Sequence, residues 1–155
     1  MKCFAYGSNL NPQEIKKTCP SYTFLCVAKL TCHKIAFTRR SQNRQCGVAD
    51  IVYSENSEVL GVVYNIDNQG EIDELDKREG YKLKDPKNSA YRRVDITVYD
   101  VKNDAPMNVE TYEVVKKEFD KYKPNPDYRD LIIAGAEHWK LPKDYIEKLK
   151  NIEVI

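Results

Sequence analysis

Apolar positions recur with period two along most of this chain and with helical period in only four places. Residues 2–6 form a short apolar run that reads as a strand. Asn11 is placed to cap a helix that Pro12 opens and that runs to about Thr18. Ser21 to Thr38 is dense in β-branched and aromatic residues, and predicts one long strand or two broken ones. Residues 39–45 are polar and basic and read as a loop. Val48–Tyr53 and Val59–Ile66 read as strands joined by a polar turn at Glu55-Asn56-Ser57. Asn68 starts a short helix that Gly80 stops. Tyr91–Val101 alternates at Val94, Ile96 and Val98. A turn at 103–106 leads into a strand over Val109–Val115. Residues 127–138 and 143–152 carry helical spacing, the second introduced by Leu141-Pro142.

Five to seven strands follow one another without strict helix alternation. This predicts an α+β (mixed α/β) fold with a mixed sheet, open or closed, rather than a doubly wound one. Lys123-Pro124-Asn125-Pro126 resembles a linker, but only about thirty residues follow it, too few for a second domain. They are expected to pack back on the sheet, so residues 1–155 read as a single domain.

Bulk properties narrow the function. Apolar residues make up 41% and charged residues 32% of 155 positions, with a net charge of +1. No strong field draws nucleic acid or an anionic membrane. No signal peptide is read at Met1-Lys2-Cys3, and no apolar run approaches the ~20 residues of a membrane span. The five cysteines, at 3, 19, 26, 32 and 46, have irregular spacing and form no C-x-x-C pair. Reduced thiols in a cytoplasmic protein are the expectation, with Cys3 the one marked for reactivity. No metal site and no cofactor are expected.

Two segments carry candidate chemistry. In Phe4-Ala5-Tyr6-Gly7-Ser8-Asn9-Leu10 a strand ends in a glycine turn and a helix opens. Such a junction aims backbone N–H groups at one point, suiting a carboxylate, a phosphate or an oxyanion. It lacks the second glycine and the lysine of a nucleotide P-loop. In Leu75-Asp76-Lys77-Arg78-Glu79-Gly80, Glu79 extends the apolar face of Ile72 and Leu75, while Glu71, Asp73 and Asp76 are expected to project elsewhere. Its place in the last helical turn, with burial, raises a carboxyl pKa toward that of a general base. Alone, the segment would more often be read as a glutamate that bends out to water and does nothing.

Together these motifs resemble γ-glutamylcyclotransferases. The resemblance rests on residues 4–10, on Leu-Asp-x-x-Glu-Gly at 75–80 and on Tyr91 twelve residues beyond Glu79. Gly61-Val62-Val63-Tyr64, Pro126-Asp127-Tyr128, Ile132-Ile133-Ala134-Gly135-Ala136 and Leu141-Pro142-Lys143-Asp144-Tyr145 extend it over nearly the whole chain. It implies a small mixed β-barrel flanked by helices, and cyclisation of γ-glutamyl-amino acids to 5-oxoproline with release of the amino acid. It implies Glu79 as the catalytic acid/base. It implies Cys3, Phe4, Ala5, Tyr6, Gly7, Ser8 and Asn9 as substrate-binding, with Tyr91 near the carboxylate and Tyr128 closing the pocket. The expected partner is a small γ-glutamyl molecule, with no nucleic acid and no membrane, in a monomer or homodimer. The run 38–44 is either a solvated loop or a receptor for the released amino acid's carboxylate. Two other readings stand beside this one: a γ-glutamyl amide or amine cyclotransferase, and a non-catalytic small-acid-binding module.

Overall fold

In the computed structural model, which describes residues 1–155, five strands close into a barrel in the order β1-β3-β2-β4-β5. They are β1 (Lys2–Ala5), β2 (Thr23–Ser41), β3 (Cys46–Asn65), β4 (Tyr91–Asp100) and β5 (Pro106–Val114). Four helices complete the fold: α1 (Pro12–Ile15), α2 (Gln69–Arg78), α3 (Pro126–His138) and α4 (Lys143–Lys150). All pairs are antiparallel except β1 with β5, whose single register pair, Cys3 with Glu110, is parallel and closes the barrel. No helix is long and apolar enough to cross a membrane.

The long β2–β3 hairpin corrects two sequence expectations and decides a third between its alternatives. β3 is one strand rather than two, because the polar stretch does not reverse the chain. Ser54–Ser57 bulge out opposite the single residue Cys32, between the pairs Tyr53–His33 and Glu58–Thr31. Asn56 takes a left-handed φ of 63° there, and Ser54 and Ser57 hydroxyls meet at 3.0 Å. β2 is likewise continuous, with register shifts at Phe24/Cys26, Thr31/His33 and Phe37/Arg39. Such irregularities bend a strand and increase its twist, as a small closed barrel requires. Finally, Arg39 and Arg40 belong to β2, so the polar loop shrinks to the turn between Ser41 and Cys46.

The helix starts at Asn11 and Asn68 match the sequence reading, whereas Asn125, expected in a linker, is a third cap. The side chains of Asn11, Asn68 and Asn125 accept bonds from the backbone N–H of Gln13, Glu71 and Tyr128, capping α1, α2 and α3. α1 stops at Ile15, short of Thr18, and the chain continues in turns. The segment before α3 is pinned: Lys123 and Pro124 carbonyls accept from the N–H groups of Gly47 and Ile155. The C-terminal helices pack back on the barrel, as expected, and share its hydrophobic core. Residues 59–64 of β3 are buried at every position, one face inside the barrel and the other under that cover. Tyr64 on this strand meets Trp139 edge-on at 6.1 Å.

The five cysteines are free thiols, and only Cys32 is exposed. Cys3 is buried, and burial together with the nearby Glu79 carboxylate pushes its thiol up, away from the reactive thiolate. The expectation of a reactive Cys3 is therefore corrected. Native-state titration with a chromogenic disulfide is expected to show one fast thiol, lost in Cys32→Ser. Fast labelling that survives that substitution would contradict the assignment.

Candidate active site

After β1 the chain passes Tyr6 and Gly7 and makes a single 3-10 turn at Ser8–Leu10. A Cβ on Gly7 would press to 3.2 Å from the Ala49 Cβ, so glycine lets the turn lie against β3. The Leu10 and Asn11 N–H groups donate back to the carbonyls of Gly7 and Ser8, while those of Ser8 and Asn9 find no protein acceptor. Two rings hold the turn from behind. The Tyr64 hydroxyl donates to the Asn9 carbonyl at 2.8 Å, and the Trp139 indole N–H to the Leu10 carbonyl at 3.0 Å.

Glu79 is the C-cap of α2. The next residue, Gly80, reverses the chain at φ +67°, a conformation L side chains rarely adopt. Asn9 Nδ2 donates to Glu79 Oε1 at 3.0 Å, joining the two ends of the motif. Burial holds the Glu79 carboxyl above its ordinary range, opposed by Arg78, by the Asn9 hydrogen bond and by Arg44. The Oδ1 of Asn9 is buried without a partner.

A pocket of about 50 Å³ has Glu79 as its one carboxylate and is lined by Cys3 to Asn9, Tyr91 and Tyr128. Every sequence-predicted site residue is therefore brought to one place. It adjoins a wider cleft of about 590 Å³, the two sharing Ser8, Glu79, Tyr91 and Tyr128 as their border.

Sequence reading missed Ala49, Thr111 and Tyr112, which also line the small pocket. Ala49 has no chemistry of its own, but its peptide is the anchor for both predicted tyrosines. Tyr91 donates to its carbonyl at 2.8 Å, and its N–H donates to the Tyr128 hydroxyl at 3.1 Å. The Tyr6 hydroxyl donates to the Tyr112 carbonyl at 2.6 Å, and Thr111 donates to the carbonyl of Phe4 at 2.7 Å. Burial pushes the Tyr128 phenol up to about 12 and those of Tyr6 and Tyr91 well above their usual value, so these rings remain neutral. Only long-range pairing could have revealed Ala49; the strand read over Val109–Val115 includes Tyr112 and marks it as nothing more.

The neighbouring acids are engaged elsewhere. Glu71 accepts from Ser21, and Asp73 from Gln69, on the surface. Asp76 departs from expectation: it turns toward the barrel, accepts from the Tyr112 hydroxyl and pairs with Arg93 at 3.3 Å. Glu14 on α1 is buried and paired with Lys17, Arg44 and Arg78. Glu79 alone among the pocket-facing carboxylates carries no ion-pair partner, and it is half-buried beside open space.

Comparison with known proteins finds relatives along nearly the whole chain. The AIG2-like family model matches residues 58–149. Gamma-glutamylcyclotransferases of Mus musculus and Homo sapiens are each 34% identical over 154 residues, covering 97% of this chain and 77% of theirs. A solved gamma-glutamyl cyclotransferase superposes with a TM-score of 0.87 at 32% identity, across 100% of this chain and 89% of that one. The barrel, its helical cover and the sequence similarity along nearly the whole length together place this chain in the γ-glutamylcyclotransferase family.

Proposed function

We propose that the protein cyclises γ-glutamyl-amino acids to 5-oxoproline and releases the free amino acid, with Glu79 moving the protons. The observation that carries this reading is the Asn9–Glu79 hydrogen bond, which unites a turn of free N–H donors with an unpaired, pKa-raised carboxylate in one tyrosine-walled pocket.

The reaction is intramolecular. The substrate's α-amine attacks its own γ-carbonyl carbon, a C–N bond closes the five-membered ring, and the original amide C–N bond breaks. Holding the chain folded in a small pocket supplies the near-attack geometry, an effect worth several kcal/mol. Glu79 takes a proton from the α-ammonium, freeing the attacking lone pair, and returns a proton to the leaving nitrogen. The ammonium also supplies the donor that Asn9 Oδ1 lacks. The Ser8 and Asn9 N–H groups are oriented for the α-carboxylate or the oxyanion. The γ-glutamyl group lies in the small pocket and the leaving amino acid in the wider cleft, which puts the scissile bond at Glu79, on their border.

The test is a 5-oxoproline assay across γ-glutamyl dipeptides, γ-glutamylamines and glutathione. Turnover of the dipeptides is expected. No turnover of any of them would favour a binding module of the same fold.

A further inference from the structure

The cleft beyond Glu79 holds more positive charge than its own carboxylates neutralise. Lys17, Arg39, Arg44 and Arg78 line it, against Glu14 and Glu79. Three of these cations are already committed to Glu14. Arg78 bonds both its carboxylate and its backbone carbonyl, Arg44 reaches it at 3.1 Å and Lys17 holds the other oxygen. Arg44 also lies over the Tyr128 ring, 4.8 Å from its centroid.

Arg39 differs. It is half-buried near the end of β2, paired in register with Val48 just after a register shift. Its guanidinium has neither an ion-pair partner nor an aromatic ring beneath it, while Arg40 beside it bonds Gln45. It is close enough to Tyr91 to favour that phenol's ionised form, against the burial that dominates there. Tyr91 is one of the residues on the border between pocket and cleft. An unpaired, partly desolvated guanidinium is a ready receptor for a carboxylate, whose two oxygens match its fork of donors.

We infer that Arg39 receives the α-carboxylate of the leaving amino acid, so that the cleft selects γ-glutamyl compounds whose released amine carries a carboxylate next to its nitrogen. That carboxylate is two bonds from the scissile nitrogen, so an amide held at Glu79 presents it to the cleft wall. This assignment rests on the cyclotransferase reading. It makes neutral and cationic leaving amines poor substrates, because they leave Arg39 unpaired.

The experiment compares γ-glutamyl-alanine with γ-glutamyl-alaninamide, near-isosteres in which the carboxylate is replaced by a neutral amide. Both are assayed for 5-oxoproline on the same preparations of wild type, Arg39→Gln and Arg39→Lys. Wild type is expected to prefer the acid. In Arg39→Gln the ratio of kcat/KM for acid over amide is expected to fall by roughly tenfold to a hundredfold, the range for a hydrogen bond to a charged group. Arg39→Lys, which keeps the charge and loses the fork, is expected to give an intermediate ratio. Loss of folded enzyme cancels from a ratio taken on one preparation. An unchanged ratio in both variants overturns the role of Arg39 and leaves the cyclotransferase reading standing. A wild type that turns over neither substrate overturns that reading, and the role of Arg39 with it.

Discussion

Glu79→Gln is expected to lower kcat for 5-oxoproline formation by roughly 10²–10⁴, the usual contribution of a positioned acid or base. The substitution keeps the size of the side chain and a hydrogen-bonding oxygen for Asn9 Nδ2, so the fold should survive. Its stability should even rise at neutral pH. Burial lifts the folded-state pKa of Glu79 above the unfolded value, so the ionised carboxylate costs stability once pH climbs through the folded pKa. A neutral glutamine escapes that cost. The same shift sets the acid limb of the wild-type profile. The base must be ionised to accept a proton, so kcat/KM should fall toward acid with a midpoint above 4.5, the ordinary value for a glutamate. Thermal melts and a pH–rate profile read both effects. Near-wild-type turnover by the glutamine variant would remove Glu79 from the mechanism.

Asp50→Ala is expected to cost about 3–5 kcal/mol of folding free energy, as breaking a buried ion pair from one side does. Asp50 is fully buried on β3. Its Oδ2 accepts from the Thr38 hydroxyl at 2.7 Å and the Lys117 ammonium at 2.6 Å, and its Oδ1 from the Val114 N–H at 2.9 Å. One carboxylate thus ties β3 to β2 and also to β5, a strand it does not pair with. Alanine removes the acceptor of three donors at once and strands the two buried ones, Thr38 and Val114, while Lys117 keeps the Ile51 carbonyl and Glu113. For a domain with ~5–15 kcal/mol in total, that loss is a large share. The next residue along is Ala49, the peptide on which Tyr91 and Tyr128 hang, so activity should fall along with stability. Asp50→Asn, which can still accept from Val114, should lose less. Urea unfolding at unchanged m reads the difference. A loss below about 1 kcal/mol, the size of an ordinary substitution, would mean that the network is not a structural tie.

Local signals in the sequence carried well into the structure. The asparagine caps at Asn11 and Asn68, the glycine stop at Gly80 and the strand alternation of β4 depend on neighbours a few residues away, so they could be read directly; Asn125, which reads as part of a linker, could not. The breaks placed in the β2–β3 hairpin could not. Polar Glu55-Asn56-Ser57 looks like a turn, yet both halves of β3 stay paired to one partner strand and the excess residues bulge outward. Asp76 was misjudged for a related reason: helical spacing gives its direction from the axis of α2, but not that Tyr112 and Arg93 wait there.

By itself, the sequence determined the mixed α+β class, the boundaries of most helices and the two segments that make the site, because short-range spacing and backbone chemistry encode them. It marked Glu79 as apolar-facing through its spacing from Leu75. Only tertiary structure decided that this carboxylate meets Asn9, seventy residues earlier, across a closed barrel. It also decided that Ala49 anchors the two tyrosines, that Asp50 ties three strands and that Arg39 is the cleft cation left without a partner. Each of these depends on which distant residues face one another, and strand register and barrel closure set that at a range no local pattern reaches.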